Sequence, residues 1–287
     1  MSGSDSIEAP RAGRSTEARI VRYEGGAHRG AFDDVVTEEP LELRLVAGGA
    51  TRTLAVTMRT PGNDFELAAG FVTNESIVRS RDEIANISYC LDPAVDPEQR
   101  YNIVNVELRG STLPDVARFE RHFTMTSACG VCGRANLDEL RELGVEPLRD
   151  DARVAIATIY ALPARMREAQ RVFSLTGGLH AAALFDPRGT ALAVREDVGR
   201  HNAVDKLVGW AQLSGRLPLR ETILFVSGRA SYEILQKAAV ARIPIVASVS
   251  APSSLAVELA REFDITLLGF VRDERANVYS ASERITG

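Results

Sequence analysis

Lysine, cysteine and long apolar runs are what this sequence has least of. No stretch of its 287 residues approaches the roughly 18 uninterrupted apolar positions that a membrane-spanning helix needs. The opening MSGSDSIEAPRAGRS lacks the apolar centre of a secretory signal. Three cysteines, Cys90, Cys129 and Cys132, are too few and too odd in number for a disulfide framework. There is no second Cys-x-x-Cys pair, and His122, His180, His201 or Cys90 could complete a four-ligand zinc site only if the fold assembled them. No repeat appears along the chain, and no low-complexity stretch beyond its first residues. A net charge of −5 gives no basic field for nucleic acid. Lysine occurs only as Lys206 and Lys237, so an anionic ligand would meet guanidinium groups, which bind carboxylate and phosphate through paired donors. Together these absences lead us to expect a cytoplasmic enzyme or carrier with neither membrane nor nucleic acid as partner.

What remains is an ordinary globular composition, 45% hydrophobic and 25% charged, long enough for one or two domains. Residues 1–15 are small and polar and read as a disordered tail. Residues 16–112 read as a small α+β domain. Its expected strands are Ala18–Tyr23, Leu41–Ala47, Thr51–Met58 and Tyr101–Arg109, with a hairpin turn at Gly48-Gly49-Ala50. Phe65, Leu67, Ala68, Phe71 and Val72 fall on one face of a helix.

Residues 113–150 have weak periodicity around Cys129-Gly-Val-Cys132 and read as a mobile loop followed by a helix starting near Asn136. Residues 151–287 change character. Thr222–Val226, Ile243–Val249 and Ile265–Val271 are short apolar runs separated by helical patterns, as in parallel central strands joined by crossovers. Leu179–Phe185 and Ala191–Val194 flank a turn at Asp186–Gly189, and a helix carries Val204, Leu207, Val208 and Ala211. The expected class is α/β, a mixed sheet with flanking helices beside the smaller α+β domain.

Two regions concentrate chemistry. The Cys-x-x-Cys has four readings: half a zinc site, a thioredoxin-like pair, two small packed residues, or a reactive thiol that carries a group. Gly130 and Gly133 make an open surround, while Arg134 and the following helix start favour thiolate over thiol. The second region is Thr176–His180 with Arg195–Lys206, where polar groups crowd a turn after a strand. Its bland reading is a solvated helix start capped by Asp197 or Asn202. Yet Ser227-Gly228-Arg229 and Ser250–Ser254 repeat the strand–small turn–helix arrangement, and such strand ends hold anions on free helix N–H groups.

The stretches SACGVCG, FSLTGGLHAAALF, REDVGRHNAVDKLVG, SGRASYEILQKA, SVSAPSSLAVELA, TLLGFVR and RANVYS, in that order, resemble the FdhD family of formate dehydrogenase accessory sulfurtransferases. The resemblance runs from about residue 18 to the C-terminus. It implies a homodimeric carrier that takes sulfane sulfur from a cysteine desulfurase as a persulfide. The carrier passes that sulfur to the molybdenum (or tungsten) bis(molybdopterin guanine dinucleotide) cofactor of the formate dehydrogenase catalytic subunit.

Carried onto this sequence, Cys129 would bear the persulfide and Cys132 assist it. Guanine nucleotide (GDP) would serve as surrogate ligand. Phe270, Val271, Arg272, Asp273, Glu274 and Arg275 match the family's cofactor segment, although two acids stand where phosphate favours neutral or basic groups. Gly177, Gly178, His180, Arg195, Asp197, Arg200, His201, Ser227 and Arg229 complete the expected binding set. The resemblance also implies a cytidine-deaminase-like fold for residues 151–287. Deaminase chemistry needs a His-x-Glu and a Pro before the Cys-x-x-Cys; here Ala181 and Ala182 follow His180, and Ala128 precedes Cys129. Two rivals to the carrier are a cofactor chaperone that uses no thiol and a protein with structural zinc.

Overall fold

The computed structural model describes residues 12–90, 92, 94–114, 138 and 140–287. The N-terminal unit opens with a two-stranded ribbon, β1 (Ser15–Glu24) and β2 (Ala27–Val36). It continues with β3 (Glu39–Ala47), β4 (Ala50–Arg59), helix α1 (Asp64–Asn74), β5 (Ile84–Tyr89) and β6 (Ile103–Leu108). The last four strands form a sheet in the order β4-β3-β6-β5. Alternation along β3 puts Leu41, Leu43 and Leu45 on one face, where they pack with Leu67, Ala68 and Val72 of α1. The helix expected from Phe65, Leu67, Ala68, Phe71 and Val72 is thus present as Asp64–Asn74.

The second unit runs β7 (Val154–Ala155), α2 (Ile156–Ala169), α3 (Arg171–Thr176), β8 (His180–Phe185), β9 (Ala191–Asp197) and α4 (Arg200–Leu213). It continues with β10 (Ile223–Val226), α5 (Tyr232–Ala241), β11 (Ile245–Ser248), α6 (Ser254–Glu262), β12 (Thr266–Arg272), β13 (Arg275–Ser280) and β14 (Ile285–Thr286). Six strands make one mixed sheet in the order β13-β12-β11-β10-β8-β9. β10, β11 and β12 are parallel, and β8 runs antiparallel to both β10 and β9. The α/β class with a smaller α+β unit is what the structure has.

Strand alternation sorts the layers. Leu224, Val226, Ala182 and Leu184 face α4, α5 and α6, whereas Ile223, Phe225, Ala183 and Phe185 face Ile159, Leu162 and Met166 of α2. Ser253 caps α6 by accepting the Ala256 N–H at 3.2 Å. At the start of α4 the residue before the helix is Gly199, and neither Asp197 nor Asn202 caps it.

The two units meet helix to helix. α1 crosses α4 at Gly70 and Gly209, and a Cβ on either would overlap a backbone carbonyl of the other helix. Around the crossing lie buried polar pairs. Asp205 accepts from Asn74 Nδ2 at 2.6 Å and Lys237 Nζ at 2.7 Å. Among the described residues, no helix is long and apolar enough to cross a membrane.

Candidate functional site

Because β8 runs against β10, its first residue lies at the same sheet end as the last residues of β9, β10, β11 and β12. That end gathers the turns the sequence singles out. Ser227 bridges to β8, its Oγ accepting the Ala181 N–H at 2.9 Å and its own N–H reaching the Ala181 carbonyl. Gly228 lies between His180 and Arg200: a Cβ there would be 3.4 Å from His180 Nδ1 and 3.8 Å from Arg200 Cδ. Next along, Ala230 pairs with Pro252 and accepts the Ser253 N–H, and Phe270 donates its N–H to the Ser250 carbonyl at 3.2 Å. The result is one continuous row across five strand ends, with the N-termini of α4, α5 and α6 opening onto it.

At the β9 side, His201 Nε2 is 3.3 Å from Ser231 Oγ and 3.7 Å from Glu233 Oε2. Burial, then the nearby Lys237 charge, pushes the His201 pKa down to about 4 against the pull of Glu233. Half-buried His180 is lowered too, by burial first and by Arg200 second, with Asp197 acting the other way. Both imidazoles are therefore neutral near pH 7, able to donate from one nitrogen and accept at the other. Arg200 Nε is buried and has no acceptor among the described residues. A buried N–H without a partner is costly, so this donor suits an acceptor supplied by a ligand.

At the β12 side the chain turns back through Asp273 and Glu274, with φ of 50° and 56°. Both positive values define a tight primed turn between β12 and β13. The turn sets Arg272 directly across from Arg275, both exposed. Like charges facing each other on paired strands repel, and an anion between them removes the repulsion. Phe270 also has φ 55°, next to an irregularity in the β12–β13 ladder, and Val271 is fully buried. β12 lies three strands from β8, roughly 14 Å at about 4.8 Å per strand. The row therefore carries two separated cationic ends rather than one pocket.

Not every expected residue faces that row. Arg195 reaches into the N-terminal unit and grips Glu66 with two hydrogen bonds, Nη2 to Oε1 at 2.6 Å. Asp197 is fully buried, and both its oxygens are engaged by Lys206, Thr60, Gly199 and Asn202. These two hold the site's turn in place instead of meeting solvent. Gly177 ends α3 in the left-handed region, and Gly178 lies exposed against Val36 of β2, beside the row. Arg229 is exposed at the β10 end.

Cys129 and Cys132, with His122, lie outside the described residues. Cys90 is a buried free thiol in the N-terminal unit. Among the described residues no cluster of His, Cys, Asp and Glu could hold a metal ion. Thr60, Ser231 and Glu233 join the site without having been singled out. Thr60 sits 137 positions from its partner Asp197, a contact no local pattern encodes.

The comparisons with known proteins agree with one another. The model of the FdhD/NarQ family matches residues 36–286. The sulfur carrier protein FdhD of Streptomyces avermitilis is 51% identical over 277 residues, covering 95% of this chain and 96% of that one. Its counterpart in Mycolicibacterium paratuberculosis is 49% identical over 272 residues, covering 94% and 98%. A crystal structure of a candidate formate dehydrogenase accessory protein from Desulfotalea psychrophila aligns with a TM-score of 0.72 at 26% identity, covering 96% of this chain and all of that one. With about half its residues shared with these relatives along nearly its whole length and a family match over residues 36–286, the chain belongs to the FdhD/NarQ family.

Proposed function

We propose that this chain is a sulfur carrier that serves formate dehydrogenase. Cys129, as thiolate, attacks the terminal sulfur of a desulfurase persulfide. The donor S–S bond breaks, the desulfurase thiolate leaves, and Cys129 holds the sulfur as a persulfide. Cys132 then attacks the inner sulfur of Cys129. The terminal atom departs as sulfide toward the molybdenum bis(molybdopterin guanine dinucleotide), and a Cys129–Cys132 disulfide remains for a cellular thiol to reduce. The dinucleotide is cargo here, and the strand-end row is its seat. Arg200, His180 and His201 would take one guanine arm, and Arg272 and Arg275 the phosphates of the other.

The observation that carries this reading is the near-complete alignment, at about half identity, with proteins named sulfur carriers. The row supports it physically: two cationic ends suit a ligand with two phosphate-bearing arms, and the orphaned Arg200 donor suits a ligand acceptor. The test is activation of an apo-dehydrogenase loaded with unsulfurated cofactor. Wild-type protein should activate it when desulfurase and cysteine are present, and a Cys129→Ala, Cys132→Ala protein should not. Activation by the double variant would favour a chaperone role and remove sulfur transfer from the account.

A further inference from the structure

The turn between β9 and α4, residues 198–199, is fastened to the other structural unit by an unusual concentration of buried polar groups. Lys206 Nζ sits 2.7 Å from Asp197 Oδ2, 2.9 Å from the Thr60 carbonyl and 3.5 Å from the Glu196 carbonyl. Three ammonium hydrogens thus have three acceptors within reach. Asp197 Oδ2 also accepts the Thr60 N–H at 3.2 Å, while its Oδ1 accepts from Gly199 N–H at 2.8 Å and Asn202 Nδ2 at 3.0 Å. Asn202 Nδ2 reaches on to the Met58 carbonyl at 2.8 Å, and Thr60 Oγ1 accepts the Val198 N–H at 3.3 Å.

Packing alone does not explain this arrangement. The helices α1 and α4 already join the two units through close-packed glycines. The latch instead converges on the turn that leads directly into Arg200 and His201 at the start of α4. Composition points the same way. The chain uses arginine for its cations everywhere except Lys206 and Lys237, and both lysines are buried beside aspartates.

We infer that Thr60, with Asp197, Asn202 and Lys206, forms a positioning latch that fixes the β9–α4 turn so that Arg200 faces His180 across Gly228 and His201 stays beside Ser231. The end of β4 is then an integral part of the ligand site, although it touches no ligand. The functional meaning of this latch rests on the proposed nucleotide seat; its geometry does not.

The test uses the full-length protein and a neutral double variant, Thr60→Val with Asn202→Ala, which removes latch hydrogen bonds without changing any charge. The titrations of His180 and His201 are followed by NMR, and GDP binding by calorimetry. As the turn loosens and Arg200 shifts, the His180 titration should move up toward that of a free histidine. GDP binding should weaken about tenfold, the loss of two or three hydrogen bonds' worth of preorganisation. Thr60→Ser, which keeps the hydroxyl, should behave as wild type.

A double variant with a lower melting temperature but unchanged histidine titrations and GDP affinity would overturn the inference, leaving the latch as glue. If wild-type protein binds no GDP yet the titrations shift in the variant, the nucleotide reading falls and the latch stands. Should the double variant not fold, Thr60→Val alone is read by the same two measurements.

Discussion

Gly70 of α1 and Gly209 of α4 lie back to back, so close that each leaves no room for a side chain on the other. This contact sets how near the N-terminal unit approaches the large sheet, and hence whether Thr60 reaches Asp197. Gly209→Ala should therefore force the helices apart and cost at least about 3 kcal/mol, the upper end of overpacking effects, because backbone rather than a flexible side chain must move. Urea unfolding monitored by circular dichroism measures it. A variant as stable as wild type would contradict this crossing geometry.

The buried pair Lys206 and Asp197 should show strongly non-additive stability. Lys206→Met alone leaves a fully buried carboxylate without its cation, worth about 3–5 kcal/mol of destabilisation. Adding Asp197→Asn removes the orphaned charge and should restore much of that loss. The measurement is a double-mutant cycle from denaturant midpoints. Burial lowers the Lys206 pKa despite the adjacent carboxylate, which marks desolvation as the larger effect. Equal and additive losses would contradict a coupled pair.

Acid should weaken the fold before its carboxylates titrate in bulk. The His201 pKa is about 4 in the folded chain and about 6.5 when unfolded, so between those values the unfolded state holds more protons. Stability therefore rises with pH across that window and is lost as pH falls from about 6.5 toward 4. His180, lowered as well, adds in the same direction. Comparing denaturant midpoints at pH 7 and pH 5 for wild type and His201→Gln isolates the effect. The variant should lose less on acidification, and an identical loss would remove His201 as a cause.

The β12–β13 turn offers a test of the proposed phosphate contacts of Arg272 and Arg275. Asp273 and Glu274 hold left-handed backbone that Asn-Gly adopts more readily. The pair Asp273→Asn and Glu274→Gly should raise stability by about 1 kcal/mol. It also removes two negative charges beside Arg272 and Arg275, so GDP should bind several-fold tighter at low salt, with the gain shrinking as salt screens it. Unchanged affinity at low salt would place the phosphates elsewhere.

Much of the large sheet was legible in the sequence because its strands are buried on both faces. ILFV, IVAS and TLLGFVR are nearly continuous apolar runs, and they became β10, β11 and β12 within two residues of the expected ends. Other elements lacked that signature. β2 is largely exposed and shows no alternation of apolar and polar residues, so only the Gly25-Gly26 turn before it carried a signal. α2 contains Pro163, which reads as a breaker yet is accommodated within the helix. β13 follows a turn made without glycine or asparagine, so nothing announced a hairpin.

The strand-end residues were legible for a different reason, since small and polar turns stand out after apolar runs. What they face was not. Asp197 and Arg195 look like ligand groups in one dimension, and only the N-terminal unit's approach turns them inward to Thr60 and Glu66.

Sulfur transfer is tested most directly by a mass measurement on Cys129, the proposed carrier. Full-length protein is incubated with a cysteine desulfurase and cysteine, alkylated, digested and read by mass spectrometry. One added sulfur atom is expected on the peptide bearing Cys129, labile to reducing thiol and abolished by Cys129→Ala. A protein that acquires no sulfur at Cys129, while cells relying on it still make active formate dehydrogenase, would contradict the account.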